Sequence, residues 1–148
     1  MKNVLFFFLA LGSIIFCACN APKVVAADTG MLEITETYWR LVELRSKLVP
    51  RPTSPNKKEI YIKLKKDGSV QGFAGCNGFG GHFELKDSST IAFSNLMGTM
   101  MACDDLTTEN KLFDVLREAD NYVHNGKHLM LIKGNKSPMA RFEADYAK

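Results

Sequence analysis

The stretch GFAGCNGFGGHF, Gly72 to Phe83, packs five glycines, a cysteine and an asparagine into twelve residues. It can be read as a reactive loop or as a bend in a sheet. A phosphate-cradling loop sets its glycines between a strand and the N-terminus of a helix, so that free amides and the helix dipole face the phosphate. Here a strand-like HFEL follows, no Gly-Lys-Ser/Thr element is present, and GCNGFGG matches neither glycine fingerprint. Nucleotide binding is set aside. A Cys76 thiolate with His82, His124 or His128 as base is a second reading, but such a thiolate has to stay reduced. The other cysteines bear on that.

The chain starts MKNVLFFFLALGSIIFCAC, a basic Lys2 and then an apolar run from Val4 to Ala18. The run is shorter than the roughly 20 apolar residues that span a bilayer, and small residues follow it, as in a secretory signal peptide. Ala18 stands directly before Cys19 and polar NAPK comes next. This resembles a bacterial lipobox, with Phe16 and Cys17 where Leu and a small residue are usual. Residues 1–18 are therefore expected to be a lipoprotein signal peptide, residues 19–36 a lipidated Cys19 with its tether, and residues 37–148 a single domain. Acyl chains on Cys19 gain about 0.8 kcal/mol per buried methylene, enough for several chains to hold a domain on a membrane without a spanning helix. The expected location is the bacterial cell envelope, on its periplasmic or outer-membrane face.

With Cys17 removed and Cys19 acylated, the domain keeps Cys76 and Cys103. Two cysteines in an oxidising compartment suggest one disulfide, and two free buried thiols acting as small hydrophobes are the alternative. A metal site from Cys76, Cys103, His82 and Asp104 lacks the short paired spacing of known zinc sites. Neither a cofactor nor a metal is expected. The formal charge of +3 falls by one with the loss of Lys2, which is no nucleic-acid footprint. In NKKEIYIKLKKDG, Lys63 and Lys65 alternate with Ile62 and Leu64, the pattern of a strand with one wet face.

About 110 residues follow from Trp39, enough for one modest core and too few for two. A first strand is expected near Tyr38 to Leu44 and a second near Glu59 to Lys65, joined by the proline-rich LVPRPTSPNKK. Asp67-Gly68 and Asn125-Gly126 predict tight hairpins, KDSS joins another strand pair, and MARFEA is a last strand. In TTENKLFDVLREADNY, Leu112, Val115, Leu116 and Ala119 recur at helical spacing, with Thr107 or Thr108 as cap. The fold class is α+β, mainly β: a curved antiparallel sheet or open β-barrel packed around one helix. Trp39 and the group Met97, Met100, Met101 are assigned to the core.

The ordered set YWRLVEL, GSVQGFAGCNGFGGHFEL, MGTMMACDD with ENKLFDVL, and HLMLI resembles the META domain, or HslJ-like, family of small bacterial envelope proteins. The long VPRPTSPNKK loop departs from that pattern. The resemblance implies a β-sheet or open barrel wrapped about one helix, a Cys76 to Cys103 disulfide, and no accepted enzymatic activity. It also implies secretion or lipid anchoring and an association with heat shock, antibiotic tolerance, motility or virulence. In this light the glycine stretch is architecture. Gly72 and Gly75 bend or bulge a strand, Gly78, Gly80 and Gly81 make a tight return, and Asn77 bonds its own neighbouring amides. The expected function is that of a non-catalytic envelope binding or structural module. It meets the membrane through Cys19 and takes an envelope protein or a small apolar ligand as partner. A lipid carrier using the open barrel and a thiol-dependent enzyme are the rivals.

Overall fold

The computed structural model describes residues 33–54 and 56–148, so the signal peptide, Cys19 and most of the tether lie outside the described residues. The strands are β1 (Tyr38–Leu44), β2 (Lys47–Leu48), β3 (Tyr61–Leu64), β4 (Ser69–Phe73), β5 (Gly78–Leu85) and β6 (Ile91–Gly98), then β7 (Asn121–His124), β8 (His128–Ile132) and β9 (Ala140–Ala144). One helix, α1 (Thr107–Glu118), links β6 to β7. The strands form one sheet in the order β6-β5-β4-β3-β1-β9-β8-β7, with β2 paired to β1. All these strand pairs are antiparallel. The expected curved sheet around a helix is what the chain forms.

Alternation builds the inner face. Trp39 and Leu41 of β1, Ile62 and Leu64 of β3, Val70 of β4, and Leu129 and Leu131 of β8 are buried, as two-residue periodicity requires. Strict alternation on β1 would bury Glu43. The register of β1 on β9 shifts between Leu41 and Glu43, an extra residue on β1 that returns Leu44 to the core. Leu112, Val115 and Leu116 of α1 complete that core, as the helical spacing predicts. Trp39 is fully buried with its Nε1 donating to the carbonyl of Ile34 at 2.8 Å.

The sheet curls until its end strands meet. Thr90 bridges Asn121, Ile91 N–H donates to the carbonyl of Asp120 at 3.1 Å, and Tyr122 N–H donates to that of Ser89 at 2.6 Å. Both glycines of the expected hairpins have positive φ, 81° at Gly68 and 80° at Gly126. Strand β2 was not expected. Its turn is Arg45-Ser46, two non-glycine residues at φ 49° and 62°, a composition that carries no turn signal.

Three expectations need correction. Thr107 and Thr108 do not cap α1. They are its first two residues after Leu106, and the side chain of Asp105 accepts from Thr107 N–H at 2.7 Å. Residues 33–36, assigned to the tether, belong to the folded unit: Ile34 is buried and Thr35 bridges Leu64. Met97, Met100 and Met101 are not core residues, being 75%, 99% and 60% exposed. A thioether is apolar enough to be taken for core, and sequence carries no marker of where the sheet ends.

The β5–β6 turn yields a pH prediction. Hydrogen bonds from Ser89 N–H, the Thr90 hydroxyl, Thr90 N–H and the Ser89 hydroxyl hold the Asp87 carboxyl down from an ordinary 3.8 to about 2. A depressed carboxyl stabilises the fold above its unfolded value, and that stabilisation is lost as pH falls toward the folded value. Asp87→Asn should lower the melting temperature at neutral pH, and the gap to the parent should close between about pH 4 and pH 2. Thermal melts at stepped pH test this; a gap independent of pH counts against it.

Candidate functional site

The turn between β4 and β5 is the one that the opening stretch encodes. The return is made by residues 74–77, closed by Ala74 N–H donating to the carbonyl of Asn77 at 2.9 Å. Gly75 takes φ 123°, a conformation that side chains rarely adopt. Gly72 is needed for space: a Cβ there would lie 2.4 Å from the carbonyl oxygen of Tyr61 and 2.6 Å from the Phe79 ring. Gly78, Gly80 and Gly81 correct the sequence reading, because they lie within β5 and not in the return. Gly81 instead faces two residues of β6, Asn95 and Leu96, where the β5–β6 register slips.

Asn77 is also placed differently from expectation. Within its own turn its side chain reaches only Cys76 Sγ, at 3.4 Å; it is 3% exposed and bonds three residues on two distant segments. Its Oδ1 accepts from the Thr99 hydroxyl at 2.8 Å and from Met101 N–H at 2.8 Å. Its Nδ2 donates to Glu109 Oε1 at 2.9 Å, and its backbone N–H donates to Glu109 Oε2 at 2.8 Å. Glu109, 8% exposed in the first turn of α1, thus has both carboxylate oxygens engaged. The positive end of the helix dipole favours the charge there. Sequence reasoning passed over Glu109, though a glutamate three residues into a helix is a known capping signal.

Cys76 and Cys103 form a disulfide, Cα to Cα 6.4 Å across 27 positions. The expected bridge therefore ties the turn to the segment ahead of α1. Loop-closure entropy assigns a loop of that length about 3.5 kcal/mol. The histidines offered as bases sit elsewhere on the sheet: His82 is exposed on β5, and His124 and His128 lie on β7 and β8. Among the described residues no three His, Cys, Asp or Glu side chains cluster to hold a metal ion.

Beside the stapled turn lies a cavity of about 450 Å³. It opens where β1 parts from β3. The two strands pair from Tyr38 to Arg40, Leu41 N–H still reaches the carbonyl of Ile60, and from Glu43 on β1 pairs with β2. Leu41, Val49, Ile60 and Phe73 form apolar walls, Gly75, Cys76 and Met101 border it at the turn, and the proline-rich loop supplies Arg51, Lys57 and Lys58. Such a volume falls in the range of about 300–1,000 Å³ that small-molecule sites occupy.

A family model of the META domain matches residues 32–146. The chain belongs to the META-domain family. Its fold is similar to an NMR structure of a protein from Burkholderia xenovorans, with TM-score 0.59, 23% identity, and 76% of this chain and 84% of that one covered. It is also similar to a crystal structure of a DUF4847 family protein from Bacteroides vulgatus, with TM-score 0.53, 16% identity, and 74% and 93% covered. At these identities the likeness is one of fold. No curated protein matches the chain. Within this META domain, the Gly-Cys-Asn-Gly element is the point where the sheet is fastened to the helix.

The fastening is testable by urea unfolding. Asn77→Ala keeps the backbone N–H on Glu109 Oε2 but leaves buried Glu109 Oε1, the Thr99 hydroxyl and Met101 N–H without their side-chain partner, and should cost about 2 kcal/mol. Asn77→Asp sets two carboxylates face to face, a loss that should shrink on acidification as one takes a proton. Glu109→Gln, which keeps shape and drops charge, should cost about 1–2 kcal/mol. Losses below about 0.5 kcal/mol for all three would mean that water satisfies these groups.

Proposed function

We propose that this META-domain protein is a non-catalytic lipoprotein of the bacterial envelope, held on a membrane by acyl chains on Cys19. Its working surface in this reading is the rim cavity beside the Cys76 turn. The observation that carries the reading is the pairing of a rigid, fully bonded turn with an adjoining concave surface of mixed apolar and charged lining. Binding sites are commonly loops positioned by such a scaffold.

Two features favour binding over catalysis. Both thiols of the domain are spent on one disulfide, and the buried carboxylate of Glu109 already accepts two hydrogen bonds from Asn77. Neither group is placed as a free nucleophile or base. The rim is favoured over a lipid channel between helix and sheet because Leu112, Val115 and Leu116 pack there without exposure, on a core that includes Trp39 and Phe142. A role in envelope stress or antibiotic tolerance accords with the family resemblance, with an envelope component as partner.

The first test is the intact mass of protein purified from its native membrane, with thiol alkylation under denaturing conditions before and after reduction. The expected result is an acylated chain starting at Cys19, with two alkylatable thiols that appear only on reduction. An unacylated chain overturns the anchor, and thiols free at the outset overturn the staple.

A further inference from the structure

The proline-rich loop does more than connect β2 to β3: with Leu41, Phe73 and the Cys76 turn it builds the cavity, and it sets the cavity's charge. Arg40, Arg51, Lys57 and Lys58 line it against one carboxylate, Glu59. That carboxylate is already committed, since Glu59 pairs with both Arg51 and Lys148. Asp145, next to the mouth, is held by Arg51 at 3.1 Å. Lys57 and Lys58 are left without a carboxylate partner among the described residues. Lys58 rests its ammonium over the Phe73 ring, 5.6 Å from the centroid, so that a cation stands directly above an apolar wall. Deeper in, Arg40 pairs with Glu143 through Nη2 at 2.5 Å, while its buried Nε–H has no acceptor among the described residues.

Positive charge in a partly enclosed, low-dielectric cleft concentrates anions, and apolar walls bind methylenes. Neither feature alone specifies a ligand; their adjacency does. We propose that the rim cavity takes a single-chain organic anion, an apolar body capped by a carboxylate or phosphate. The body lies against Ile60, Phe73 and Val49, and the head is met by Lys57 and Lys58, whose charge no carboxylate among the described residues takes up. This rests on the rim cavity being the working surface and adds the chemistry of what it binds.

The test uses isotope-labelled protein carrying Cys19→Ser, so that no acyl chain of its own competes, and follows backbone amides by NMR. Octanoate, octyl phosphate, octanol and octylammonium are titrated in turn, each below its micelle concentration. Octanoate or octyl phosphate should move the amides of Ile60, Phe73, Gly75 and Met101 to saturation. Octanol and octylammonium should bind about ten-fold more weakly. Exposed lysines are safe to alter, and Lys57→Gln with Lys58→Gln should weaken the anionic probes about five-fold while leaving octanol unchanged. The stronger of the two anionic probes identifies the head group. If octanol or octylammonium matches the anions, the cavity stands as a binding surface and its anion preference is overturned. If none of the four probes moves these amides, the cavity itself fails as the working surface.

Discussion

The pairing of Asn77 with Glu109 is the constraint from which the rest of the domain's geometry follows. A twelve-residue helix has little stability of its own in water and depends on packing to exist. Here its first turn is held by two hydrogen bonds from Asn77 to a single carboxylate, and residues 99 and 101 hang from the other side of the same asparagine. The disulfide from the neighbouring Cys76 closes the same connection a second time. Covalent and polar ties therefore act on one spot, and the helix can enter the sheet only in one place. Phe113 on Phe79, rings 5.2 Å apart, is the apolar continuation of that contact.

Once the helix is placed, the sheet has to curl around it. Two irregularities serve that curvature, the extra residue of β1 before Glu43 and the slip opposite Gly81 on β6. Bulges increase local twist and bend the strand that carries them. The outcome is an end-to-end meeting of β6 and β7 at one rim and a parting of β1 from β3 at another. The cavity is thus a by-product of how the sheet closes, and its wall beside the Cys76 turn inherits the rigidity of the staple.

That division suits a binding module. The turn cannot move without breaking buried hydrogen bonds, which cost most in a low-dielectric setting. The facing loop, by contrast, is exposed and pinned by ion pairs from the half-exposed Arg51 to Glu59 and Asp145. In the proposed site, a rigid floor and a more adjustable lip would let ligand preference change through the loop while the fold stays intact.

The sequence by itself determined every strand but β2, both glycine hairpins and the single amphipathic helix, because periodicity and turn chemistry are local and each is written within a few residues. It also pointed to the disulfide, since cysteines are few and the expected signal peptide would place the domain in an oxidising compartment. Trp39 was legible as core for the same reason of size and apolarity. What only the tertiary structure decided were relations between distant residues. Asn77 looks like any turn asparagine until Glu109, 32 positions away, is brought to it. Gly78 and Gly81 look like turn glycines until the return is seen to finish before them. Met97, Met100 and Met101 look like core until the rim leaves them in solvent. Burial and pairing are set by where the closed sheet places a residue, and no window of neighbouring residues encodes that closure.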